Sequence, residues 1–152
     1  MKIWFDMDGT IADLYAVEGW LDMLRAYDET PYEMARPLVK MNALARQLNA
    51  AQRNGHQIGV ISWLSKCSNA DYDAKVTAAK LAWLEKHLPS VKWDAVLIVP
   101  YGTPKYETCG CAGILFDDEQ RNRDNWLNGC GFDPDKITEI LSEINKNMRK
   151  RG

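Results

Sequence analysis

The sequence contains no run of about 18 consecutive apolar residues, the length a helix needs to cross a bilayer, so a membrane span is not expected. A strand-like segment already starts at Lys2, leaving no room ahead of it for a signal peptide, and a cytoplasmic location is the expectation. Histidine is scarce. His56 and His87 are the only two, and neither has another ligand-type residue at metal spacing, so both read as surface or helix-end residues. The four cysteines, Cys67, Cys109, Cys111 and Cys130, do not form the two CxxC pairs of a closed zinc site, and in a reducing compartment they are expected to be free thiols. An excess of one charge is missing too. With 19 basic against 21 acidic residues the formal charge is -2, which gives no overall attraction to nucleic acid or an anionic membrane. The one basic cluster, Lys146, Arg149, Lys150 and Arg151, reads as a solvated helix end, with a phosphate-steering patch as the alternative.

What is present suits a single domain spanning 1–152: 152 residues, 46% hydrophobic and 26% charged, without repeats or long linkers. Lys2-Ile3-Trp4-Phe5 predicts a buried strand that runs into an Asp, Gly and Thr loop. Leu14, Val17, Trp20, Leu21 and Leu24 recur at helical spacing and predict a helix from Leu14 to Tyr27, ended by Thr30-Pro31. Leu38, Met41, Leu44, Ala45 and Leu48 predict another, stopping at Asn54-Gly55. A second strand follows at Ile58 to Ile61. A helix from Tyr72 to His87 carries Val76, Ala79, Leu81, Trp83 and Leu84. Ala95 to Val99 and Gly113 to Phe116 read as the third and fourth strands, and helices are expected from Arg121 to Leu127 and from Asp135 to Met148.

Continuous apolar strands separated by helices imply an α/β fold, a three-layer Rossmann-like parallel sheet covered on both faces. In such sheets the ligand crevice lies beyond the carboxyl ends of the strands. Three predicted strands end there in groups able to handle phosphate and metal: Asp6 with Asp8, Ser62, and Asp117 with Asp118. An oxygen-only carboxylate cluster suits Mg2+, which keeps waters and a substrate phosphate among its ligands. Asp6 is placed to attack phosphorus and Asp8 to move the proton of the leaving oxygen and later of water. Donors for the phosphoryl oxygens would be Ser62, the backbone of the Asp6 to Gly9 turn with Thr10, and a lysine, for which Lys105 and Lys66 are the candidates. Taken singly, Asp8-Gly9-Thr10 could be an ordinary turn and cap, but that does not account for the second acidic pair at Asp117.

Phe5-Asp6-Met7-Asp8-Gly9-Thr10 resembles the DxDGT signature of the haloacid dehalogenase (HAD) superfamily. Val60-Ile61-Ser62 is similar to its second motif, Lys105 falls where its third-motif lysine would, and Leu115-Phe116-Asp117-Asp118 resembles its acidic fourth motif. The resemblance implies a magnesium-dependent phosphatase with Asp6 as nucleophile, favours Lys105 over Lys66, and assigns Ser62 to the phosphoryl group. It leaves the division of labour between Asp117 and Asp118 open, one for the metal and the other for support of it or of Lys105. The family usually adds a fifth strand after the fourth motif, whereas Gly129 to Phe132 offers little room for one, so a truncated sheet edge is expected.

Between Thr10 and the helix before the second strand there is space for a minimal helical cap over 13–42 and no more. Trp20, Tyr27, Tyr32 and Met34 in that segment read mainly as packing, and Trp63 as a contact for the non-phosphate part of a substrate. The short cap, the Asp117-Asp118 pair and the Gln120 to Trp126 stretch look most like the deoxyribonucleotidases, which implies a small phosphorylated substrate, a nucleoside monophosphate. The phosphatase part of polynucleotide kinase-phosphatases is similar in the same places and keeps a nucleic-acid end as an alternative. A catalytically silent binding module is the other. The sequence does not fix the oligomeric state.

Overall fold

The computed structural model describes residues 1–110 and 112–151, without the side chains of Met148 and Arg149. Its centre is a five-stranded, all-parallel sheet of β1 (Lys2–Phe5), β4 (Gln57–Trp63), β5 (Ala95–Val99), β6 (Ala112–Phe116) and β7 (Asn128–Phe132), in the order β5-β4-β1-β6-β7. The strand at the centre is therefore the one that ends at Asp6. Alternation along the strands divides the core between the two faces. Ile3, Phe5, Ile58, Val60, Ile114 and Phe116 pack with α3 (Met41–Arg53), α4 (Ala70–His87) and α7 (Ile137–Arg149). Trp4, Ile61 and Leu115 meet Trp126 and Tyr106 on the other face, where α5 (Lys105–Cys109) and α6 (Gln120–Asp124) are short. Each such large side chain removed from water contributes about 1.5–3 kcal/mol before entropy is counted. The main crossover helix, α4, is also well terminated. Asn69 caps it by accepting from the Tyr72 N–H at 2.8 Å, with Asp71 and Asp73 in its first turn and Lys86 and His87 in its last.

Two expectations fail. The sheet edge is not truncated: β7 pairs in parallel with β6 from Asn128 to Phe132. A β-carbon on Gly129 would collide with the Gly113 carbonyl, and one on Gly131 would lie 2.6 Å from the Arg123 Cα. The strand is glycine-rich because its neighbours press on its backbone, so it lacks the β-branched residues that normally mark a strand. The Leu14 to Tyr27 helix is not continuous either. A 3-10 turn at Leu14–Ala16 gives way to extended Val17 and left-handed Gly19, φ 73°, before α1 (Trp20–Arg25) begins.

After α1 comes α2 (Thr30–Met34), and the segment is bracketed by β2 (Ala12–Asp13) and β3 (Arg36–Pro37), which pair antiparallel. Leu14, Leu24 and Tyr32 pack on Tyr72, Val76 and Ala79 of α4, which seats this excursion beside the carboxyl edge of the sheet. Cys67, Cys109 and Cys130 are free thiols, and Cys111 lies outside the described residues. The basic C-terminal cluster ends α7 beside Asn54, whose Nδ2 donates to Asn145 Oδ1 at 3.2 Å. Asn54 precedes β4, so the cluster, of which the Arg149 side chain is outside the described residues, sits at the edge where the strands begin. That position does not suit phosphate steering. Among the described residues no helix is long and apolar enough to cross a membrane.

Candidate active site

Strand register builds the site. Phe5 pairs with Phe116, Asp6 N–H donates to Phe116 O at 2.9 Å, and Asp117 N–H donates to Phe132 O at 3.1 Å. The ladder thus delivers Asp6 and Asp117 side by side from adjacent strands. Asp118, one residue on, turns toward the loop after β1, where Thr10 accepts its N–H at 3.2 Å. Gly9 makes that approach possible: its φ is 78°, and a β-carbon there would collide with the Asp118 carboxylate. The single Thr10 hydroxyl proton is shared between Asp6 Oδ2 at 3.3 Å and Asp118 Oδ1 at 3.4 Å.

Lys105 opens α5 and is 2% exposed. Its Nζ lies 2.9 Å from Asp6 Oδ1 and 2.7 Å from Asp117 Oδ2, with the Trp63 ring 5.1 Å away. Lys66, the rival, is exposed on the cavity wall, and no ion pair ties it to these carboxylates among the described residues. Burial alone would lower the Lys105 pKa, but the Asp6 and Asp117 charges overcome it and hold the ammonium protonated.

The carboxylates pay a different kind of penalty from crowding. Burial first, and Asp6 second, push Asp117 up to about 6 against the pull of Lys105. The same causes push Asp118 up to about 7. One oxygen from each of Asp6, Asp117 and Asp118 lies within 4.8 Å of the others. Such a hard-oxygen set is of the kind that suits magnesium, and Asp6, Asp117 and Asp118 are the residues that would hold it. Asp117 is already engaged on both oxygens, by Glu119 N–H at 2.9 Å on Oδ1 and by Lys105 and the Asn122 amide, at 3.0 Å, on Oδ2. Asp118 is more exposed and less occupied.

Asp8 stands apart from that trio. Its Oδ2 accepts from Lys80 Nζ at 2.7 Å, and burial raises its pKa in spite of that ammonium. Ser62 is fully buried, and its Oγ also accepts from Lys80 at 2.7 Å, so it does not line the cavity. Trp63, Leu64 and Ser65 do so instead. The cavity, about 640 Å³, opens over Asp6, Asp8, Lys105 and Asp118 and is walled by Tyr15, Trp20, Tyr32, Trp63 and Tyr101, with Arg25 and Lys66 among its lining residues.

Sequence reasoning missed Lys80 and Asn122. A lysine inside the apolar stripe of α4 was the available signal for the first. Asn122 had none beyond its place one turn after Asp118.

No protein-family model and no curated protein sequence matches the chain. Among solved structures it is similar to the crystal structure of D,D-heptose 1,7-bisphosphate phosphatase from Burkholderia thailandensis, with a TM-score of 0.52 at 12% sequence identity, covering 93% of this chain and 84% of that one. At that identity the likeness speaks for architecture alone: the chain has a Rossmann-like α/β fold, with five parallel strands and helices on both faces, that is similar to the fold of that structure.

Proposed function

We propose that this protein is a magnesium-dependent phosphomonoesterase that works through an aspartyl-phosphate on Asp6 and takes nucleoside monophosphates. The observation that carries the reading is the position of the Asp6 carboxylate: at the end of the central strand, held by Lys105, facing an open cavity, and within reach of two further carboxylates. A carboxylate nucleophile needs cations around it, since otherwise it repels the phosphoryl group it attacks. The fold shared with a phosphatase supports the same reading.

Asp6 and Asp118 would hold the metal, with Asp117 ordering Lys105 and completing the carboxylate set. When bound, magnesium neutralises phosphoryl charge. An oxygen of Asp6 forms a bond to phosphorus as the bond to the leaving oxygen breaks, and protonated Asp8 gives that oxygen its proton. Asp8, now a carboxylate, takes a proton from water as the water oxygen bonds to phosphorus. The Asp6–phosphorus bond breaks, inorganic phosphate leaves, and both aspartates return to their starting states. Lys105 stays charged throughout and follows the phosphoryl oxygens. The raised pKa of Asp8 supports its acid role.

The aromatic walls support a planar, stackable leaving group such as a nucleoside. The experiment is phosphate release from an aryl phosphate, a panel of nucleoside monophosphates and a 5'-phosphorylated oligonucleotide, with and without magnesium. Release that requires metal and is lost in Asp6→Asn is expected, with monophosphates preferred. A better rate on the oligonucleotide would move the reading to nucleic-acid ends. Full activity in Asp6→Asn, or no release from any substrate, would leave the fold without this chemistry and favour a binding module.

A further inference from the structure

We infer that Lys80 is a positioning residue for Asp8, fixing from inside α4 the carboxylate that moves the proton; this rests on the phosphatase reading above. Lysine is rarely buried unless it is paired. Lys80 is 1% exposed and lies in the inward stripe of α4 with Tyr72, Val76, Ala79, Trp83 and Leu84.

An ammonium has three protons to donate and accepts nothing. Here all three are given, at 2.7 Å each, to Asp8 Oδ2, Ser62 Oγ and the Trp63 carbonyl oxygen. The Tyr32 ring stands 5.0 Å from Nζ. Two of the three acceptors belong to the end of β4, and the third belongs to the loop after β1. Lys80 therefore ties a loop side chain to the rigid sheet. With its donors used and its side chain absent from the cavity wall, it has nothing left to bind a substrate with.

Stability is a poor explanation for such a group. A buried ion pair costs desolvation on both sides, and a well-packed apolar residue of similar volume is often as stable or more so. What an apolar residue could not do is aim Asp8. Lys105 does not do it either, because its carboxylate partners are Asp6 and Asp117. The two buried lysines thus divide the work, Lys105 on the nucleophile and Lys80 on the proton carrier. The hydroxyl of Ser62 belongs to this tether, which accounts for its orientation away from the cavity.

The test compares Lys80→Met with the unmodified chain, with magnesium, in the first turnover of two substrates. An aryl phosphate releases a nitrophenolate that needs little proton help, and an alkyl phosphate releases an alkoxide that needs it. Misplacing Asp8 should slow the first turnover of the alkyl substrate about 100-fold at saturation with its half-saturating concentration unchanged, and that of the aryl substrate less than about threefold. Asp8→Asn and Asp8→Asn/Lys80→Met should then react at equal rates, a comparison that does not depend on the single Lys80 variant folding. Equal losses on both substrates, a change confined to the half-saturating concentration, or a further drop in the double variant would overturn the inference. An unmodified chain inactive on both substrates would remove the phosphatase reading itself, and the inference with it.

Discussion

Phe5 and Phe116 lie opposite each other in the β1–β6 ladder with their rings stacked at 5.1 Å, and the next residue of each strand, Asp6 and Asp117, therefore emerges at one point of the sheet edge. Two like charges brought together by register need a fixed counter-charge. Lys105 supplies it from α5 by touching both.

Removing that counter-charge should be costly in two ways. In Lys105→Met the two buried carboxylates face each other unpaired, so metal-free stability should fall by about 3–5 kcal/mol in chemical denaturation. Added magnesium should restore more stability to the variant than to the unmodified chain, because the ion takes over part of the neutralisation. Turnover should fall at least about 100-fold on every phosphomonoester, the cost of losing one donor to the transferring group. A variant as stable and as active as the parent would show that the contacts of Lys105 carry no weight.

The raised pKa values give a pH dependence whose sign can be worked out. Folded Asp117 and Asp118 keep protons up to about 6 and about 7 respectively. The unfolded chain loses them near the ordinary aspartate value of about 3.9. Between these limits the folded state binds more protons, so the stability these two groups contribute falls as pH rises from about 4 to about 7. Asp28, held low by Thr30, loses its contribution only below the ordinary carboxylate range. His56 and His87, lowered by burial, act in the opposite direction near neutrality, but neither is at the site. The magnesium-induced rise in Tm isolates the carboxylates: it should grow from pH 5 to pH 7, with proton release on binding at pH 6 by calorimetry. An increment that shrinks over that range would contradict the assignment of these groups to the metal.

How much of this was legible depended on where the chemistry sat relative to the pattern. Asp6 and Asp117 end short, continuous apolar runs, and the parallel-sheet rule then puts them at one edge. Lys80 was hidden because the helix reading placed Leu81 on the inward face. Leu81 is 46% exposed, and the position before it, one step of about 100° around the helix, is the buried one. Ser62 was found by motif order, but its partner Lys80 was not, because the motif says nothing of which helix residue reaches the serine hydroxyl. β7 escaped because Gly129 and Gly131 answer to the backbone of Gly113 and Arg123, a constraint that local propensity does not record.

Gly131 gives the stability test of that edge. Gly131→Ala places a methyl group against the Arg123 backbone of α6, and the resulting shift should cost about 1–3 kcal/mol. Arg123 Nη1 donates to Asp117 O at 3.0 Å, so displacement of α6 reaches the site. Thermal unfolding should show a lower Tm together with weaker magnesium stabilisation. An unchanged Tm would mean that β7 and α6 are less closely packed than described.

Tyr101 offers the cleanest probe of substrate choice. It is 54% exposed beyond the end of β5, and its ring lies 5.2 Å from that of Trp63, whose Nε1 donates to Thr103 O at 2.8 Å. Trp63 also packs on Lys105, so altering it would disturb the chemistry as well as the wall. Among the described residues Tyr101 makes no ring contact with Lys105, and Tyr101→Ala should leave Tm and the rate on a small alkyl phosphate unchanged. For a nucleoside monophosphate, loss of one stacking surface worth about 0.5–1.5 kcal/mol should raise KM about two- to tenfold with kcat nearly constant. An equal effect on both substrates would mean that Tyr101 shapes the phosphate end of the cavity, and the aromatic wall would then lose its role in selecting a base.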